Sequence, residues 1–143
     1  MTEPPAPLVT IVMIEDDAGH ARLIEKNIRR AGIANPIRHF TDGTAALAHL
    51  AARPEAPALV LLDLNLPDMS GIDILSRIKA DARLKPTPVV VLTTTDDRHE
   101  IDRCYALGAD IYITKPVDHE NFAATIGQLG ALLGVMQVPD AGL

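Results

Sequence analysis

The sequence predicts an α/β fold built on one doubly wound parallel sheet, and two observations favour it. Short runs rich in valine, isoleucine and leucine alternate with longer stretches of helical periodicity, five times along the chain. Two of the runs are apolar at every position rather than at every second one, which is typical of parallel strands buried on both faces. Because crossovers between parallel strands are right-handed, such a chain places helices on both faces of the sheet.

The first two pairs of strand and helix occupy the N-terminal part of the chain. A run rich in valine and isoleucine predicts a strand over residues 8–14, and an amphipathic pattern predicts a helix over 17–31. Gly32 stands where this helix would end on a left-handed residue. A weaker apolar run predicts the second strand over 36–40, and the second helix is predicted over 43–52.

Three further pairs complete the prediction. The continuously apolar runs are the third and fourth strands, residues 58–64 and 88–94. Asp97 with Glu100 resembles a capping box at the start of the fourth helix, and Asp118 is a candidate N-cap for the fifth. The fifth strand is predicted over residues 110–115, and the last three helices over 71–80, 97–107 and 118–136. At this chain length the arrangement is expected to be flavodoxin-like, with five βα units.

The composition is that of one globular domain. The 143 residues are 48% hydrophobic and 22% charged, enough to bury a core without a disulfide or a structural metal. We expect a folded domain over residues 8–136 and short tails over 1–7, predicted to be disordered, and 137–143. Few residues follow the last predicted helix, so we expect no attached output domain.

Charge and cysteine content limit the classes of partner. A net charge of -6 and the lack of a basic run with interleaved aromatics argue against binding to nucleic acid. The acidic, proline-rich start lacks the basic and apolar segments of a signal peptide or membrane anchor. The single cysteine cannot form an internal disulfide. We therefore predict a cytoplasmic protein that binds neither nucleic acid nor membrane.

Polar side chains stand at the ends of four predicted strands. They are Glu15, Asp16 and Asp17 at the end of the first strand, Asp63 at the end of the third with Asn65 just beyond, Thr93, Thr94 and Thr95 at the end of the fourth, and Lys115 and Pro116 at the end of the fifth. Because ligands of such sheets bind beyond the carboxyl ends of the strands, we expect these side chains to share one edge. Clustered carboxylates repel one another unless a cation compensates them. With only oxygen donors available there, Mg²⁺ fits better than zinc.

Several of these residues also have ordinary structural explanations. Asp17 could simply cap a helix, the threonines could be β-branched strand residues, and Lys115 could be a solvated loop charge. Asp63 is harder to explain in this way, because an unpaired charge directly after a buried apolar run is costly. The chain lacks phosphate-binding glycine loops and a nucleophile elbow. We interpret the dispersed histidines as surface or helix-face residues: His20, His39, His49, His99 and His119.

Four segments together are similar to a known family. VMIEDD, LLDLNLPDMSG, VVLTT and ITKP stand at the ends of the first, third, fourth and fifth predicted strands, respectively. They resemble the receiver domain of bacterial two-component response regulators, the CheY-like fold, over about residues 8–133. The intervals from Asp63 to Thr93 and from Thr93 to Lys115 also agree with that family.

The resemblance implies a role for each acid. Asp63 would be the phospho-acceptor. Asp16, Asp63 and the backbone carbonyl of Asn65 would ligate Mg²⁺, Glu15 would act on the ion through water, and Asp17 would be an additional acid. The domain would not be a conventional enzyme, because it would catalyse only its own phosphorylation and dephosphorylation.

The resemblance also implies roles for the hydroxyls, the lysine and an aromatic residue. Thr93 would hydrogen-bond the phosphoryl group, Lys115 would pair with its charge, and the bond from Lys115 to Pro116 resembles the family's cis peptide. Tyr112 stands at the position of the aromatic switch. Thr94 is bulkier than the residue that often follows the switch threonine, so it would narrow access to the aspartyl phosphate.

The implied partner is a sensor histidine kinase, and the implied output face joins helix four, strand five and helix five. Loop and helix details look most like single-domain regulators paired with bacterial phytochrome kinases. Residues 131–136 carry no polar side chain, and Gly127, Gly130 and Gly134 would permit close approach of another backbone. This pattern indicates a homodimer or kinase contact through helix four, helix five and the C-terminal segment, although a frayed terminus would explain it too.

Other functions stay open at this level. A chemotaxis-type regulator, a phosphorelay shuttle and a degenerate receiver acting as a binding module share the same fold. A phosphatase of the haloacid-dehalogenase kind also uses an aspartate at a strand end, but it needs a second aspartate where this chain has Asn65. An intact set of acids and lysine speaks against a degenerate receiver.

Overall fold

Five strands and four helices alternate along the part of the chain that the structure describes. The computed structural model describes residues 9–54, 56–94, 97–114 and 124–125. The strands are β1 (Thr10–Ile14), β2 (Ile37–Phe40), β3 (Ala58–Asp63), β4 (Val89–Thr93) and β5 (Ile111–Thr114). The helices are α1 (Ala18–Arg30), α2 (Gly43–Ala52), α3 (Gly71–Ala80) and α4 (Arg98–Leu107). Both predicted tails and nearly all of the predicted fifth helix lie outside the described residues.

All five strands are parallel and form one sheet in the order β2-β1-β3-β4-β5. This confirms the flavodoxin-like doubly wound arrangement. Every residue of β3 and of β4 is buried, including the polar Asp63 and Thr93 at their ends, whereas the edge strands β2 and β5 are partly exposed. The C-terminal residues of the central strands are therefore shielded from solvent.

The sheet separates two hydrophobic cores. Alternate residues of β1 point to opposite faces, so Ile11 and Met13 pack with α1 while Val12 and Ile14 pack with α2, α3 and α4. Burying one such aliphatic side chain contributes about 1.5–3 kcal/mol, so the two cores hold the helices firmly against the sheet. Among the described helices, none is both long and apolar enough to cross a membrane.

Each described helix starts with a capping side chain. Asp17, Asp42, Ser70 and Asp97 accept hydrogen bonds from backbone amides in the first turns of α1, α2, α3 and α4, respectively. Asp97 thus caps α4 as predicted, through the amide of His99. These caps fix the chain directly after the strands, at the edge where the polar residues were expected.

A lysine side chain bonds to several elements at the N-terminal edge of the sheet, where the strands begin. Nζ of Lys79, at the end of α3, donates to the carbonyl oxygens of Lys85 at 3.0 Å and Thr87 at 2.6 Å. Asp110 lies 4.0 Å from the same nitrogen and also accepts from the amide of Val89 at 2.8 Å. Burial lowers the pKa of Lys79, and Asp110 partly counteracts this. The contacts join α3 to the starts of β4 and β5.

Candidate functional site

Three carboxylates meet at the C-terminal edge of the sheet. Carboxylate oxygens of Glu15, Asp16 and Asp63 all lie within 4.8 Å of one another. Glu15 and Asp63 are only 2% and 5% exposed, whereas Asp16 is exposed. They meet because β1 and β3 are neighbours in register, with Ile14 opposite Leu62. The structure thus brings together three of the acids predicted to share one edge.

The donor chemistry of this cluster fits a small divalent cation. Two carboxylate oxygens no more than 4.8 Å apart repel by at least roughly 3 kcal/mol at an effective dielectric constant near 20, and this cost falls when a cation lies between them. All three side chains offer hard oxygen atoms, which suit Mg²⁺ better than zinc. Exposed Asp16 would leave a route to solvent, so the residues could hold such an ion.

The orientation of Asp63 is set by the loop that follows it. The backbone amide of Asn65 donates to Oδ1 of Asp63 at 3.0 Å. Asn65 also forms an antiparallel bridge with Ser70, and the amide of Gly71 donates to the carbonyl of Leu64 at 3.0 Å. The loop therefore closes on itself and holds one carboxylate oxygen of Asp63 in place.

Gly71 allows this closure because it has no side chain. A Cβ atom at this position would lie 2.6 Å from the carbonyl oxygen of Asp63 and 2.5 Å from Cα of Leu64. Both are backbone atoms, which cannot move aside as the end of a flexible side chain can. The backbone of Asp63 is consequently packed directly against the start of α3.

Asp68 fastens the same loop to α2. Its carboxylate accepts from the amides of Gly43 at 2.9 Å and Thr44 at 3.0 Å and from the Thr44 hydroxyl at 2.5 Å. The hydroxyl bond, followed by the Gly43 amide bond, lowers the pKa of Asp68 to about 2. No local pattern in the sequence marks this residue, because its partners lie far away in the chain.

The hydroxyl groups lie on the other side of Asp63. Thr93, the last residue of β4, is fully buried, and Thr94 is exposed. Nδ2 of Asn65 lies 3.5 Å from Oγ1 of Thr93 and 3.4 Å from Oγ1 of Thr94, so its side chain spans the two hydroxyls. Asn65 therefore contacts the site through its side chain as well as through its backbone. Thr95 lies outside the described residues.

Two histidines contact Glu15, a feature that sequence analysis missed. His20 lies on α1 with Nδ1 3.6 Å from Oε1 of Glu15, and His39 on β2 has Nε2 2.6 Å from the backbone oxygen of Glu15, to which it donates. Both are the surface or helix-face residues that the sequence predicts. The contact with His39 depends on the register of β2 against β1, which has no local signal in the sequence.

The remaining predicted residues are placed as follows. Asp17 caps α1 by accepting from the amide of His20 at 3.0 Å, the structural role that was its alternative explanation. Tyr112 is half-buried on β5, and its amide donates to the hydroxyl oxygen of Tyr105 on α4 at 3.1 Å. Lys115 and Pro116 lie outside the described residues, so their predicted roles remain predictions.

Comparisons with known proteins agree with this geometry. The family model of the response regulator receiver domain matches residues 11–127. A receiver domain from Rhodospirillum rubrum has a solved structure that is 62% identical, with a TM-score of 0.79, covering 94% of this chain and all of that one. The probable methanogenesis regulatory protein FilR2 of Methanothrix harundinacea is 37% identical over 83% of this chain and 79% of its own length. The phosphorylated cyanobacterial phytochrome response regulator RcpA is 31% identical, with a TM-score of 0.76, over 88% of this chain and 94% of that one.

Proposed function

The chain belongs to the response regulator receiver domain family, whose members are signalling modules, and from this premise we propose that it is a regulator switched by phosphorylation of Asp63. The observation that carries the proposal is the setting of this one side chain. Asp63 is 5% exposed, its Oδ1 is held by the Asn65 amide, and two further carboxylates lie beside it. A phospho-acceptor needs such a fixed carboxylate next to a cation site.

Mg²⁺ is the proposed cofactor. Asp16, Asp63 and the backbone carbonyl of Asn65 would ligate it, and Glu15 would act through water. The ion, when bound, would neutralise charge on the phosphoryl oxygens. The described carboxylates support this assignment because their mutual repulsion has to be compensated for the site to accept an anionic group.

The proposed reaction is a transfer from a phosphohistidine. An oxygen of Asp63 forms a bond to phosphorus while the bond from phosphorus to the histidine nitrogen breaks and the imidazole leaves. The Asn65 amide would orient the nucleophile, and the hydroxyl of Thr93, which is buried at the end of β4, would hydrogen-bond the phosphoryl group. Lys115 would contribute a positive charge to the phosphoryl oxygens.

The proposed output is a rearrangement of the face that includes α4 and β5. Phosphorylation adds close to two negative charges and three acceptor oxygens, which would draw Thr93 and the loop after β4 toward Asp63. Tyr112 would then turn inward, and because its ring lies 6.5 Å from the ring of Tyr105 between centroids, α4 would respond as well. Moving the equilibrium from about 1:99 to 99:1 needs roughly 5.5 kcal/mol, so we expect a partial shift.

The proposed partner is a sensor histidine kinase of the phytochrome type. The similarity to the cyanobacterial phytochrome response regulator supports this class. We also propose a homodimer through α4, the predicted fifth helix and the C-terminal segment, to which exposed Tyr105 on α4 would contribute. A cytoplasmic location without nucleic-acid or membrane binding completes the proposal.

Intact mass spectrometry after incubation with acetyl phosphate and Mg²⁺ tests the acceptor. We expect a gain of one phosphoryl group that disappears in Asp63→Asn and with EDTA. Asp102→Asn, which changes an exposed acid on α4, is the matched control and should be phosphorylated like the wild type. Failure of both acetyl phosphate and a phosphorylated kinase to modify the protein would reject the proposal and favour a binding module.

A further inference from the structure

A second site is built at the other end of edge strand β2. A cavity of about 270 Å³ opens there, between β2, α2 and the first residues of β1 and β3. Its lining includes Thr10, Val12, Arg38, His49, Leu50 and Arg53. Thr10 is the first residue of β1, so the cavity lies at the edge of the sheet opposite to Glu15 and Asp63.

The cavity carries positive charge that no acid compensates within the described residues. Arg38 and Arg53 are exposed at its mouth, and neither forms an ion pair with a described carboxylate. None of the described lining residues is acidic. Burial lowers the pKa of His49, and the charges of Arg38 and Arg53 lower it further, so both guanidinium groups act on the imidazole. Such a concentration of cations is notable in a chain with a net charge of -6.

Aromatic contacts hold two of these groups in position. The guanidinium carbon of Arg38 lies 5.8 Å from the centre of the Phe40 ring, within the range of a cation–π interaction. The rings of Phe40 and His49 are 5.2 Å apart between centroids. Arg38 and His49 therefore both pack against the ring of Phe40. Because this contact already restricts their side chains, ligand binding would cost less conformational entropy.

Most of the remaining lining is apolar, and Thr10 adds one hydroxyl group. Val12, Leu50 and Ala58 are buried and belong to the core on the α2 side of the sheet. An opening with an apolar floor and a few converging polar groups is the usual form of a small-molecule site, and 270 Å³ is just below the common range of roughly 300–1,000 Å³. A ligand that fits would be small and partly apolar.

We propose that this cavity binds a small organic anion, in which one carboxylate or phosphate group is attached to a compact apolar body. Arginine presents paired donors that match these planar or tetrahedral oxyanions. The apolar body would lie against Val12 and Leu50, while Arg38 and Arg53 would take the anionic group. The site is independent of phosphorylation at Asp63, from which it is separated by the length of the strands.

Phenylphosphonate is a suitable probe, because its carbon–phosphorus bond prevents phosphoryl transfer to Asp63. We would titrate it, and inorganic phosphate, into ¹⁵N-labelled protein without Mg²⁺ and follow the amide resonances. We expect saturable shifts at Val12, Arg38 and Ala58, with weaker binding of inorganic phosphate, which lacks the apolar body.

Variants distinguish binding in this cavity from non-specific attraction of the anion to surface charge. Arg38→Gln combined with Arg53→Gln should weaken phenylphosphonate binding by about tenfold or more, because charge-assisted hydrogen bonds are lost. Arg22→Gln, which removes an exposed arginine from α1, and Asp63→Asn should leave binding unchanged. Thermal melts would confirm that the variants are folded. Shifts that do not saturate, that spread over the surface, or that decrease equally in Arg22→Gln would overturn the proposal.

Discussion

Replacing Gly71 with alanine tests how firmly the loop after Asp63 is held. The new Cβ would lie 2.6 Å from the carbonyl oxygen of Asp63 and 2.5 Å from Cα of Leu64, whereas ordinary contacts begin at 3.4 Å. The backbone would have to move by about 0.8 Å or more, in a region packed against the core. Overpacking of this kind costs roughly 1–3 kcal/mol, and we expect the upper end because both contacts are with backbone atoms.

Gly71→Ala should therefore lower the free energy of unfolding by about 3 kcal/mol, and the melting temperature by roughly 10 °C for a domain of this size. Urea denaturation followed by circular dichroism measures the first quantity, and a thermal scan the second. The displaced Asp63 should also accept a phosphoryl group from acetyl phosphate more slowly than in the wild type.

Gly32→Ala is the matched control. Gly32 has a φ of 86° and no atom within 4 Å of an added Cβ, so its substitution introduces backbone strain of about 1–2 kcal/mol without a clash. It should leave the phosphorylation rate unchanged. If Gly71→Ala stays within about 0.5 kcal/mol of the wild type and is phosphorylated at the same rate, the loop is not rigidly packed and the reasoning is wrong.

Three further substitutions test contacts described above. The folded-state pKa of Asp68 is about 2, below the ordinary 3.8, so its bonds contribute stability that is present above pH 3.8 and lost as the pH falls toward 2. The urea midpoint of Asp68→Asn should therefore change less than that of the wild type as the pH falls from 3.8 toward 2. If the midpoints of both proteins depend on pH in the same way, this expectation is wrong. Lys79→Met removes the donor to two loop carbonyls and should lower the free energy of unfolding by about 1–2 kcal/mol, measured beside the exposed Lys26→Met, which should change it by less than about 0.5 kcal/mol. Tyr105→Phe removes the acceptor of the Tyr112 amide, which should then exchange faster with deuterium; equal exchange would show that the bond does not protect it.

The fold could be predicted because its strongest signals are local. β3 and β4 are apolar up to their last residues, Asp63 and Thr93, and both strands are buried along their whole length. The predicted bounds differ by a residue or two at the strand ends: the third strand was predicted to end at residue 64, but β3 ends at Asp63. Ladder hydrogen bonds to a neighbouring strand decide where a strand ends, and these depend on register rather than on composition.

The site was predictable in part for a topological reason. In a parallel sheet the carboxyl ends of all strands meet at one edge, so the order of residues along the chain was enough to bring Glu15, Asp16 and Asp63 together. The contacts of His39 and Asp68 were missed because each joins residues more than twenty positions apart, through a strand register and a loop conformation. Neither residue type nor spacing indicates such contacts.

The strand order also bears on how the chain folds. β1 pairs with β2 on one side and with β3 on the other, and each partner lies beyond at least one complete helix in the chain. Neither pair can form as a local hairpin. The chain therefore loses the entropy of closing a long loop before the strand pairing contributes favourable free energy, and this slows folding. Docking of β1 with β3 also gathers Glu15, Asp16 and Asp63, so the step that organises the sheet works against their repulsion. The folding rate of this chain should therefore rise when those carboxylates are neutralised, because the cluster slows assembly of the sheet that holds it.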